Sequence, residues 1–117
     1  MSNSITIARL EKAERDIVDL RAVVEIRKKR AMDEGDTALA NTLRKQIRAL
    51  SVRRRDLWDA QRKILLSPVR IRQLARDIST AAKRARKAVK NMKKVADALD
   101  AIAKALSYAD RVLKLVA

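Results

Sequence analysis

From Val69 to Ala117 apolar residues recur at alternating intervals of three and four without a gap: Ile71, Leu74, Ile78, Ala81, Ala85, Ala88, Met92, Val95, Leu99, Ile102, Leu106, Ala109, Leu113 and Val116. That spacing lines one face of an α-helix, whereas a strand repeats every second residue. The stretch therefore predicts one long helix whose a and d positions form a seam for partner helices. Two further facts leave helix as nearly the only option. The 117 residues include a single Gly and a single Pro, so turns are few, and no Phe with one Trp and one Tyr, so a bulky core has little to be built from. A chain of this length supports one domain, and its buried layer should be thin, as between paired helices.

Upstream, a first helix is expected from about Ser4 to Asp33, with Leu10, Ala13, Ile17, Leu20, Val24 and Ala31 as its buried stripe and Arg27 the charged exception. Residues Asp33, Glu34, Gly35, Asp36 and Thr37 then predict a tight turn, Gly35 taking a left-handed conformation and Asp36 capping the next helix. The second helix carries Ala40, Leu43, Ile47, Leu50, Leu57 and Ile64 in one register, broken by Arg54 and Gln61. Pairing about Gly35 puts positions whose numbers add to roughly 70 opposite each other, which predicts Arg54 near Asp16. Ser67 and Pro68 mark the next boundary, a cap followed by a proline at the first helical position.

The fold class expected is therefore all-α: an antiparallel helical hairpin over residues 1 to 67, then a long heptad-patterned helix over 68 to 117, of the three-helix-bundle or coiled-coil type. Within that last helix, residues 70 to 94 form a basic part and 95 to 117 an apolar oligomerisation part. A helix of some fifty residues is about 75 Å long, well beyond either hairpin helix. It must either bend back around Asn91 or pair with another chain, and intermolecular pairing is the expectation drawn from the length alone.

Around the Gly35 turn the chain resembles the UVR motif, the short αα-hairpin of nucleotide excision repair proteins and some stress-response adaptors. Ala31, Met32, Asp36, Ala40, Leu43, Arg44, Ile47 and Leu50 carry the likeness, while Thr37 and Lys28 stand where that motif has an aromatic and an apolar residue. The resemblance implies a protein-docking hairpin without catalysis. A basic stretch followed by heptads is also similar to a basic-leucine-zipper arrangement, but no base-reading Asn precedes Ala81, and the apolar stripe continues through the basic part.

The formal net charge is +15, from 29 basic and 14 acidic residues. It is not evenly spread. Residues 1 to 36 hold eight of each sign, residues 37 to 67 eight basic and two acidic, residues 68 to 96 ten and one, and residues 97 to 117 three of each. Arg72, Arg76, Lys83, Arg84, Arg86, Lys87, Lys90, Lys93 and Lys94 lie off the apolar seam, so one face of the last helix should be cationic. A polyanion is the expected partner: nucleic acid, bound through phosphates without sequence preference, or else an acidic protein. Aromatic stacking residues are missing from the band, which argues against a single-strand platform.

Leu99, Ile102, Leu106, Leu113 and Val116 are the candidate oligomerisation residues, since Ala96, Ala98, Ala103, Ala105 and Val112 widen the apolar face there and imply more than one neighbour. A homo-oligomer is expected, a membrane-surface helix being the third reading after nucleic-acid binder and structural or inhibitor adaptor. Trp58 and Tyr108 read as packing residues.

No Cys and no His occur. With neither, thiolate nucleophiles, the commonest general base and the commonest metal ligand are missing, and the scattered carboxylates form no cluster, so no catalytic residue, metal or cofactor is expected and the protein reads as a non-enzyme. The N-terminus does not begin like a signal peptide, and no apolar run reaches membrane-spanning length, so a cytoplasmic protein is expected.

Overall fold

The computed structural model describes residues 2–61, 68–91 and 94–116. Four helices run through them in order: α1 (Ser2–Asp33), α2 (Thr37–Ala60), α3 (Pro68–Asn91) and α4 (Val95–Val116). The chain is an all-α helical bundle. Its Cα envelope measures 51 × 20 × 17 Å, a rod about as long as α1.

The α1/α2 hairpin forms where the turn chemistry requires it. Gly35 has φ +76°, the left-handed region where a side chain would be strained. The Asp36 N–H reaches the Ala31 carbonyl at 2.8 Å, closing the end of α1, and the Asp36 carboxylate accepts from the Leu39 N–H at 3.1 Å, opening α2. Leu10, Ala13, Ile17, Leu20, Val24 and Ala31 are all fully buried, as the spacing predicts, and so are Leu43, Leu50 and Leu57 of α2. Two boundaries differ. α1 already begins at Ser2, which puts Ser4 inside the helix, and α2 ends at Ala60. Ile64 and Ser67 lie outside the described residues; Pro68 opens α3 as expected.

The long C-terminal helix is not formed. It divides after Asn91, and α4 restarts at Val95, with the Ala98 N–H donating to the Lys94 carbonyl at 3.3 Å. The break forgoes a few backbone hydrogen bonds worth about 1 kcal/mol each, net. Folding back buries Ile102, Ala105, Ala109 and Val112 inside the same chain, and each large aliphatic among them is worth about 1.5 to 3 kcal/mol. Burial wins, so the excess length that pointed to another chain is taken up by α4.

Around the bundle, α1 packs against α2 and α3, and α4 packs against α3 and α2. The α2/α4 contact is the thinnest of the four. Helices α2 and α3 thus occupy opposite corners. Arg86 of α3 reaches Asp19 of α1 at 3.4 Å, and Gln61, just past α2, reaches Glu14 at 3.3 Å. The chain between Gln61 and Pro68 is long enough to start α3 at the N-terminal end of α1 but too short to reach its far end, so α1 and α3 run parallel. Counted from the Arg86–Asp19 pair, Asn91 lies level with Val24. The last turns of α1 and first turns of α2 therefore project roughly 13 Å beyond the α3/α4 turn.

Breaking the helix also resets its phase. In α4 the deepest residues are Ala98, Ile102, Ala105, Ala109 and Val112, a stripe rotated from the expected Leu99, Leu106 and Leu113, which are only partly buried. Buried alanines recur on both helices, Ala98, Ala105 and Ala109 in α4 and Ala81 and Ala85 on the α4 side of α3, and such small side chains let two helix backbones approach closely. The leucines are displaced to the flank that faces α2.

Candidate polyanion-binding face

The functional candidates begin with α3, whose buried side is Ile71, Leu74, Ala75, Ile78, Ala81, Ala82, Ala85 and Val89. A helix that buries this set must turn the remaining residues outward. Arg76, Lys83, Arg84, Lys87 and Lys90 are exposed there and Arg72 is half-buried, spanning about 27 Å from Arg72 to Lys90. Lys94 is exposed at the turn into α4, and Lys93 lies outside the described residues. Among the described residues none of these cations has a carboxylate partner within 4 Å. Arg86 is different. It leans toward α1 and pairs with Asp19, so part of its charge is already used inside the molecule.

Lys83, Arg84, Arg86, Lys87 and Lys90 border a shallow open depression of about 500 Å³ together with Thr80. On the α4 side the band is bounded by a second groove of about 780 Å³, lined by Asp77, Thr80, Ala81, Arg84, Asp97, Asp100, Ala101, Lys104 and Tyr108. Sequence gave no reason to group Asp77 with Asp97 and Asp100, which are some twenty residues away; the fold-back of α4 brings them together. A polyanion on α3 is repelled from this edge and drawn toward the opposite one, so the carboxylates give the cationic face a direction.

The remaining ion pairs do structural work. Arg53 of α2 binds Asp110 of α4 through two hydrogen bonds, Nε to Oδ1 at 3.0 Å and Nη2 to Oδ2 at 3.2 Å. Arg54 approaches Glu14 at 3.8 Å, not Asp16, which instead pairs with Lys12 at 3.3 Å one turn away on its own helix. The helices pair antiparallel as expected, but the Arg54–Asp16 contact is not formed: Glu14, half-buried, meets both Arg54 and Gln61 across the hairpin. Tyr108 is packed against the core beneath Arg111, whose guanidinium lies 5.4 Å from the ring centroid. Trp58, by contrast, is 44% exposed.

Of the oligomerisation candidates, Ile102 is fully buried by the chain's own helices and is not offered to a second chain. Leu99, Leu106 and Leu113 are partly covered on the α2 flank, and the Val116 side chain lies outside the described residues. Among the described residues no group of three or more potential ligands is gathered for a metal, and no helix is long and apolar enough to cross a membrane.

Comparison with protein-family models, curated proteins and solved structures finds no match for this chain. The functional reading therefore rests on the residues and their arrangement.

Proposed function

We propose that this protein is a small non-enzymatic bundle that binds duplex nucleic acid through its phosphates, with the outer face of α3 as the contact. The observation that carries the reading is the concentration on that one face of exposed cations without a carboxylate partner among the described residues, Arg76, Lys83, Arg84, Lys87 and Lys90, along a helix that holds a single acidic residue, Asp77. A helix held by a buried Ala and Ile seam keeps its cations on one side, and each phosphate they neutralise releases a counterion. Nothing on the face reads bases, so affinity should be independent of sequence. Self-association, where it occurs, is assigned to the α2/α4 flank with Leu99, Leu106 and Leu113.

The test is a mobility-shift series on two unrelated duplexes at increasing salt. About five phosphate contacts give a slope of log affinity against log salt near −4.5. Changing Lys83, Arg84, Lys87 and Lys90 to Gln should flatten that slope and weaken binding. Equal binding by the variant removes the assignment.

A second reading, an adaptor that docks an acidic protein, draws on one observation at the projecting end of the hairpin. There Ile26 is 70% and Met32 53% exposed, beside Lys28, Lys29 and Arg30. Exposed aliphatics rimmed by cations suit an acidic amphipathic partner. Absence of duplex binding even at low salt favours this reading.

A further inference from the structure

The outward side of α2 carries a second cationic stripe that the charge of residues 37 to 67 announced only as a sum. Arg44, Arg48 and Arg55 follow one another at intervals of four and seven, with Lys45 beside them, and all four are exposed. Among the described residues none has a carboxylate partner; Arg44 donates only to the Asn41 side chain, at 3.0 Å. Like charges one turn apart on a helix repel each other. Along α1 part of that repulsion is offset, Lys12 pairing with Asp16, Arg21 with Glu25 and Arg30 with Glu34 just past the helix. The densest runs of exposed, unmatched cations are therefore on α2 and α3. Among the described residues α1 leaves Arg15 and Lys29, and α4 leaves Lys104, Arg111 and Lys114, exposed without a carboxylate partner, but spread among Glu and Asp side chains.

These two helices are at opposite corners of the bundle, since α1 and α4 each pack between them. They also lie at the same height. The Arg54–Glu14 and Arg86–Asp19 contacts place Arg44 to Arg55 and Lys83 to Lys90 beside the same stretch of α1. The cationic faces are thus back to back across a section of 20 × 17 Å. That thickness is more than twice the screening length of about 8 Å at physiological salt, so a polyanion bound on one side barely repels one on the other.

We propose that a single copy of this protein binds two duplexes at once, one on α3 and one on α2, and so bridges them. The inference rests on the duplex-binding reading above and adds a second, independent contact. Neither face needs a second protein chain, which separates this arrangement from bridging by a dimer that uses α3 of each copy.

The experiment captures a dye-labelled 30-base-pair duplex on beads bearing an unlabelled one, with the full-length protein as the only link. Wild type should capture the labelled duplex at intermediate protein concentration and release it in excess, when every duplex carries its own protein. Changing Arg44, Lys45, Arg48 and Arg55 to Gln should leave binding of one duplex within about threefold while capture falls at least tenfold. Replacing the three arginines by Lys should preserve capture, which separates loss of charge from damage to the helix. Undiminished capture by the Gln variant overturns the proposal, as does wild-type binding of a duplex with no capture at any concentration. Failure of wild type to bind any duplex removes the duplex-binding reading itself, and this inference with it.

Discussion

Arg53 and Asp110 are joined by two parallel hydrogen bonds, 3.0 and 3.2 Å, across the thinnest of the four main helix contacts, that between α2 and α4. A forked pair of this kind fixes the relative height and rotation of two helices more firmly than a single lysine contact does. The carboxylate is about half exposed and the guanidinium about a quarter, so the stabilisation is modest, about 0.5 to 1 kcal/mol. A double-mutant cycle with Arg53→Met and Asp110→Asn should return a coupling of that size, shrinking in high salt. Zero coupling at low salt means that the leucine flank alone holds α4 to α2.

The phase of α4 ranks its aliphatics. Ile102→Ala should destabilise by about 2 to 4 kcal/mol, because the site is closed on all sides, whereas Leu106→Ala should lose about half as much, part of its side chain being in water already. Urea titration of the two variants checks the order. A reversed order would return the seam to the uninterrupted heptad of the sequence.

The alanine seam between α3 and α4 leaves no room. Ala85 and Ala105 are both fully buried, and a leucine at either position forces the helices apart. Overpacking should cost about 1 to 3 kcal/mol, lowering the melting temperature by several degrees in a domain of this size. Thermal melts of Ala85→Leu and of a surface control, Ala103→Leu, separate volume from hydrophobicity: the control should melt within a degree or two of wild type.

At the hairpin turn, backbone geometry and capping make distinguishable contributions. A Cβ on Gly35 would meet nothing within 4 Å, so Gly35→Ala should destabilise only by the strain of a left-handed alanine, about 1 kcal/mol, and Gly35→Asn by less. Asp36→Ala removes the acceptor for the Leu39 N–H and should cost a similar amount. Equilibrium denaturation of the three variants tests the ranking.

Self-association, if it uses the α2/α4 flank, should disappear in a Leu99→Asp, Leu106→Asp variant that stays helical, because Ile102 and the alanines still close the core. Light scattering at high concentration reads the outcome; a monomeric wild type excludes this flank as an interface.

Local chemistry made α1, α2 and their turn legible in the sequence. Apolar spacing specifies which face of a single helix is buried, and Gly35 with Asp36 specifies where one helix ends and the next begins, since both act over a few residues. Pro68 did the same for the start of α3, and the outward cations of α3 followed from the same periodicity. The division at Asn91 was legible only as one of two outcomes that the helix's length allowed. No Gly or Pro interrupts 69 to 117, and the three-four pattern runs through it, so the sequence taken residue by residue favours one helix. What decides against it is non-local: the apolar side of α4 gains more by lying on α2 and α3 than a few broken backbone hydrogen bonds lose. The same fold-back determines which side of α4 is buried, gathers Asp77, Asp97 and Asp100 along one edge of the cationic face, and encloses Ile102 within the chain. Charge counting likewise found the excess on both middle segments, but only the packing order of the helices sets those segments on opposite sides of one rod, because position around a bundle depends on which faces meet and not on distance along the chain.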